Sequence, residues 1–248
     1  MERGAGVSKD QLNWHSSFKY KAVALSALND GSRREPDVVR GVKRYGDLLS
    51  ECRARYHHVR ETLNAFPAAG SATGDDVYRL ESVFLQVRLL SEALALAVLI
   101  CHISDEAPIT VQKAYQADKI FNVLQSVNRR SFPSAYEIDD NGKLTTTEDG
   151  ISLDQFNYTY RLCGGVLHRG KLDSVATGGV RSLPLSDVRG WADRIESILS
   201  NNIVFLGDRE HFIGLQTTEK GAFTIFGQPK ADQSLIDIDL VIALLAAE

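Results

Sequence analysis

Cysteine is scarce in this chain. Cys52, Cys101 and Cys163 are its three cysteines. Their number is odd and no two stand in a CxxC spacing, which excludes a disulfide framework and points to a reducing compartment. It also weighs against zinc, because Cys52 with His57 and His58, or Cys101 with His102, lack the second ligand pair that zinc sites show. An excess of positive charge is lacking too. With 28 Lys and Arg against 32 Asp and Glu, the formal net charge is −4. No global basic field advertises nucleic acid, so any RNA contact has to be local. The most apolar stretch, Ala93 to Cys101, is neighboured by Gln86, Arg88, Ser91, Glu92 and His102. That leaves no run of about 18 apolar residues, and no membrane span is expected. The N-terminus has no signal-peptide apolar segment, so a cytoplasmic protein is expected. P-loop, dinucleotide-binding and Ser nucleophile-elbow motifs are missing, which excludes the activities built on them. Internal repeats and low-complexity tracts are missing as well.

What is present is an ordinary globular composition, 44% hydrophobic and 24% charged over 248 residues, enough for a sizeable core. Helical periodicity predicts a helix from Ser16 to Leu28. A clearer one opens at Glu35-Pro36-Asp37 and carries Val38, Val42, Tyr45, Leu49, Cys52, Tyr56, Val59, Leu63 and Phe66 in alternating four-three spacing. Such a seam packs against another helix, within the bundle or across a dimer. Pro67 to Gly74 reads as a loop. Asp75 to Ser104 should be the central helix, with Arg88 and Glu92 four apart on one face. Further helices are expected over Ile109–Val127, Ser152–His168 and Leu185–Leu199. Asp139 to Lys143 is a turn signal between short strands rather than a calcium loop, since no closing Glu follows at the required spacing. Beyond residue 200, Ile203–Leu206, His211–Thr217 and Ala222–Phe226 read as strands. Ile236 to Leu240 alternates like one more, although Leu240 to Ala247 could be helical. The fold class is therefore mainly α with a small C-terminal antiparallel β unit, α+β overall. The expected division is a helical domain over 1–200 and a β-rich unit over 201–248 packed on it.

Chemistry concentrates between Phe156 and Lys171. Tyr160, Arg161, Cys163 and His168 gather there, behind the capping-type Ser152 and before Gly170. Arg161 and His168 are seven positions apart. At about 100° per residue that lies within roughly 20° of two full turns, so they share a helix face about 10 Å apart along the axis. A fixed cation beside a titratable imidazole suits a phosphodiester: Arg holds the phosphate in its planar fork and His moves protons near neutral pH. On spacing alone the two are equally readable as a surface charge and a satisfied imidazole. Arg169 and Lys171 could supply local positive charge for a nucleic-acid strand. Cys163 is five positions before His168 and off its face, which favours packing over a thiolate nucleophile.

The segment resembles the HEPN superfamily (higher eukaryote and prokaryote nucleotide-binding domains), in which an Arg, four to six residues and a His mark the active helix of an all-α domain. Cys163-Gly164-Gly165-Val166-Leu167-His168 is similar to the Cys-Gly/Ser-x-x-Leu-His wording of abortive-infection-type members. Val87-Arg88-Leu89-Leu90-Ser91-Glu92 resembles the Arg-x-x-x-Glu helix packed beside the active one. The likeness spans roughly residues 75 to 172. It implies a metal-independent, cofactor-free endoribonuclease in a phage-defence or toxin–antitoxin setting, with Arg161 and His168 catalytic and RNA as substrate. It further implies Glu92, with Arg88 and Tyr160, as support that orients Arg161, a homodimer sharing a cleft, and an antitoxin or other partner protein. Leu162 stands where family members often carry a polar residue, and Gly164-Gly165 falls mid-helix. Both keep open a second expectation, a HEPN-like scaffold for dimerisation or partner docking without catalysis.

Overall fold

Helix α1, Glu35–Asn64, buries Val42, Tyr45, Leu49, Cys52, Tyr56, Val59 and Leu63, the periodic seam that its sequence carries. The structure, a computed structural model, describes residues 35–66, 75–102, 116–138, 144–167, 185–206, 212–218, 221–227 and 244–245. The expected Ser16–Leu28 helix lies outside them, as do residues 109–115 and the Ile236–Leu240 segment.

Helix α2, Asp75–His102, lies antiparallel against α1. The Cys52 thiol donates to the Leu90 carbonyl at 3.6 Å, and one turn along α1 Arg55 Nη1 reaches Gln86 Oε1 at 2.7 Å. Residues Tyr78–His102 are long and apolar enough to cross a membrane, with mean hydropathy 2.0. Packing against α1 and two further helices explains that apolarity: Leu90, Leu94, Ala95, Ala97 and Val98 are fully buried in the core. A central helix is apolar on most sides because it has neighbours on most sides.

Helix α3, Ala117–Val127, turns Ile120, Phe121 and Leu124 inward. Asn128 ends it and ties it to the sheet, donating through Nδ2 to the Phe205 carbonyl at 2.6 Å. Strands β1 (Ser134–Ile138) and β2 (Leu144–Thr146) pair antiparallel, as the turn signal between them predicts. Helix α4 (Leu153–Leu167) and helix α5 (Leu185–Ser200) follow, and α5 passes directly into β3 (Asn201–Phe205). Strands β4 (Phe212–Thr218), β5 (Gly221–Gly227) and β6 (Leu244–Leu245) complete a six-stranded antiparallel sheet in the order β2-β1-β3-β4-β5-β6. The helix considered for Leu240–Ala247 does not hold at Leu244–Leu245, which form β6, while the expected Ile236–Leu240 strand lies outside the described residues.

The protein is mainly α with a small antiparallel β unit, but the sheet is not confined to the chain after residue 200. Ser134 and Ala135 of β1 pair with Ile203 and Asn202 of β3, so a boundary at 200 would cut one sheet in two. The expected division into 1–200 and 201–248 is corrected accordingly. The join is polar and buried. Tyr45 of α1 donates its hydroxyl to Asn202 Oδ1, and Asn202 Nδ2 donates to the Ile198 carbonyl at 2.6 Å, linking α1, α5 and β3. A satisfied buried network of this kind fixes one arrangement of its elements, since any other leaves its members unpaired.

Candidate functional site

Helix α4 begins with a reciprocal cap. The Gln155 amide donates to Ser152 Oγ and the Ser152 amide to Gln155 Oε1, both at 3.3 Å. Two of the orphan donors at the helix start are thereby satisfied, and Asp154 adds negative charge in the first turn. From there the helix buries Phe156, Asn157, Thr159, Tyr160, Cys163 and Gly164 and exposes Asp154, Tyr158, Arg161 and Gly165. Phe156 anchors the inner face among Phe121 and Phe132, with both ring centroids at 5.4 Å in edge-on geometry.

Further along that inner face, three groups from two helices meet. Arg88 Nε donates to Glu92 Oε1 at 3.2 Å, and the Tyr160 hydroxyl donates to the same oxygen at 2.9 Å. Arg88 Nη2 donates to the Tyr160 oxygen at 3.2 Å, while its guanidinium carbon lies 4.9 Å from the Tyr160 ring centroid. The ion pair is only about one-fifth exposed, 20% and 22% for its side chains. Burial, and then the Glu92 carboxylate, push the Tyr160 hydroxyl up to about 12, so it remains a donor at neutral pH. The guanidinium sits over Gly164, where an added Cβ would come within 2.6 Å of Nη1. Gly164 thus gives room to Arg88. Cys163 beside it is buried, which raises its thiol to about 12 against the lowering influence of Arg88. It stays protonated, as a packed rather than a nucleophilic cysteine.

Arg88, Glu92 and Tyr160 are therefore brought together, and Arg161 is not part of their cluster. Glu92 turns to Tyr160 instead of orienting Arg161, because one residue further along α4 rotates the side chain by about 100°, out of the interface. Arg161 is exposed and bonds back to its own helix, Nε to the Asn157 carbonyl at 3.3 Å. Among the described residues it has no carboxylate partner. His168, Arg169 and Lys171 lie outside the described residues.

Gly164 and the Tyr160 phenol are the two elements that spacing did not assign. The signal for the glycine was legible: a glycine on the buried face of a helix marks close approach of a neighbouring group. The phenol's bond to Glu92 joins residues 68 apart in sequence, and no local pattern encodes it. Among the described residues, no group of three or more His, Cys, Asp and Glu side chains could hold a metal ion; Cys52 points into the core while His57 and His58 are exposed. Comparison of the chain with protein-family models, curated proteins and solved structures yields no match.

Proposed function

We propose that this protein is a cytoplasmic, metal-independent endoribonuclease of HEPN type, working from the exposed face of α4 in a phage-defence or toxin–antitoxin setting. The observation that carries the reading is Arg161: a cation on the solvent side of a firmly anchored helix, uncommitted to any carboxylate among the described residues, seven positions before His168. An exposed arginine without an ionic partner is free to grip a phosphate through its planar fork. The ribose 2′-oxygen attacks phosphorus as the P–O5′ bond breaks; His168 takes the 2′-hydroxyl proton as general base or protonates the departing 5′-oxygen as general acid, and water carries the other proton. Arg161 stabilises the charge that develops on the phosphoryl oxygens. Products are a 2′,3′-cyclic phosphate and a 5′-hydroxyl. The Arg88–Glu92–Tyr160 cluster supports this by fixing the rotation of α4, and Arg169 and Lys171 add positive charge along the strand.

The test is cleavage of mixed RNA in EDTA by the natural protein, Arg161→Ala and His168→Ala, with analysis of product ends. Loss of cleavage in both variants at an unchanged melting temperature, with cyclic phosphate ends from the natural protein, is the expected result. Full cleavage by folded His168→Ala overturns the assignment.

One observation favours a second reading, a non-catalytic docking scaffold. Tyr78, Leu85 and Leu96 of α2 are 65%, 42% and 37% exposed. Their spacing places them within about 20° of one line along the helix. An apolar stripe of this length is what a homodimer contact or a partner protein such as an antitoxin would cover. A folded natural protein that neither binds nor cleaves RNA at low salt selects this reading.

A further inference from the structure

Three neighbouring positions on the outer face of α4 share a property that the inner face lacks: among the described residues, none packs against another element. Tyr158 is 53% exposed, an aromatic ring presented to solvent. Arg161 is exposed and bonds the Asn157 carbonyl through Nε, and among the described residues its two terminal nitrogens have no partner. Gly165 has open space where a Cβ would stand, with nothing within 4 Å. Unlike Gly164, it is not required by a packing neighbour, yet it places the poorest helix former after proline in the last turn of α4. Tyr158 and Gly165 are seven residues apart with Arg161 between them. On a regular helix that aligns them on one side over about 10 Å, the scale of one to two nucleotides of extended strand.

We propose, resting on the ribonuclease reading, that this face seats an unpaired stretch of single-stranded RNA. The Tyr158 ring stacks on a base, Arg161 pairs with the adjoining phosphate, and the bare backbone at Gly165 lets the ribose–phosphate lie directly against the helix. Each group supplies what the others cannot. Aromatic stacking is tolerant of sequence and requires a base that is out of its duplex, which makes the preferred substrate a loop or single strand. The arginine supplies charge locally in a chain of net charge −4. Exposed Asp154, one turn before Tyr158, repels phosphate at that end and directs the strand toward Gly165.

The experiment measures binding in EDTA by fluorescence anisotropy. Its probe is a short labelled oligoribonucleotide with 2′-O-methyl riboses, which cannot be cleaved by 2′-hydroxyl attack, used single-stranded and annealed to its complement. Cleavage of ordinary RNA is assayed in parallel. The natural protein is expected to prefer the single strand. Tyr158→Ala should weaken binding about ten-fold, while Tyr158→Phe, which keeps the ring, should stay within about two-fold. Gly165→Ala should weaken binding while raising the melting temperature, a combination that a structural role for the glycine would not produce. Unchanged binding in both Tyr158→Ala and Gly165→Ala, with a natural protein that binds and cleaves, overturns the seat and leaves the ribonuclease standing. A natural protein that neither binds nor cleaves removes the ribonuclease reading itself. Unchanged binding together with a shifted oligomeric state in Tyr158→Ala assigns the face to a second copy of the chain, and overturns the seat as well.

Discussion

The two faces of α4 are built from similar residue types and put them to opposite uses. Each presents a tyrosine, an arginine and a glycine within a few residues or across a helix contact. On the inner face Tyr160, Arg88 and Gly164 are locked to one another and to Glu92. On the outer face Tyr158, Arg161 and Gly165 are exposed, and the fold makes little demand on them. A group already satisfied by its neighbours stabilises the fold and has little left to offer a ligand; an unsatisfied exposed one is the reverse. Substitutions on the inner face should therefore move stability, and those on the outer face should move chemistry. The sharpest contrast is Phe156→Ala against Arg161→Ala. Phe156 is fully buried among two other rings, so its truncation should cost about 3–5 kcal/mol in chemical denaturation. Arg161→Ala should leave the denaturation midpoint unmoved and remove cleavage. A large stability loss in Arg161→Ala would dissolve the distinction between the faces.

Glu92→Ala tests the inner cluster itself. It leaves the half-buried Arg88 guanidinium and the Tyr160 hydroxyl without the acceptor they share, which should cost about 1–3 kcal/mol. The ion pair retains some solvent contact, which places the value toward the lower end. Tyr160→Phe in a double-mutant cycle with Glu92→Ala should return a coupling of the order of 1 kcal/mol. Zero coupling would mean that the phenol contributes by packing alone.

How far the sequence discloses this arrangement follows from how local each signal is. The α1 seam, the capping of α4 and the Arg88–Glu92 pair are set by spacings of three or four residues, and all are found as periodicity predicts. The sheet is different. β1 and β3 are separated by two helices, and the composition change near residue 200 hides the fact that they pair. Likewise, Glu92 was expected to orient Arg161 and bonds Tyr160 instead. The exact rotation of α4 against α2 decides between adjacent residues, and that rotation depends on the Phe156 packing and the space over Gly164 rather than on any motif.

The inner face should also be sensitive to alkali. Folding raises Tyr160 from an ordinary 10.0, and Cys163 from 9.0, to about 12 each. The folded state holds these protons more tightly than the unfolded chain. The stability they contribute is complete below pH 9 and is lost as pH rises from there toward 12. Burial raises Tyr45, Tyr56, Tyr136 and Cys52 in the same direction, so the loss is shared. Denaturation at pH 7 and at about pH 11, midway through the Tyr160 range, should show a smaller alkaline loss in Tyr160→Phe than in the natural protein. An equal loss in both would place the sensitivity among the other buried groups.

The smallest effect discriminates most finely, because it compares adjacent residues of one type. Gly165→Ala should gain at most about 1 kcal/mol, the benefit of alanine over glycine in a helix interior, with no steric cost. Gly164→Ala has the same intrinsic benefit, but its methyl would enter the space of Arg88 Nη1, 2.6 Å away. Arg88 is flexible at that end and can withdraw, so the penalty is its hydrogen bond to Tyr160, about 0.5–1.5 kcal/mol, and the net change should lie near zero. An Arg88→Ala background separates the two glycines more strictly. There Gly164 has no guanidinium to admit, and the two glycine substitutions should become equal. A difference that persists without Arg88 would mean that Gly164 serves the close approach of α4 to α2 through some contact other than that arginine.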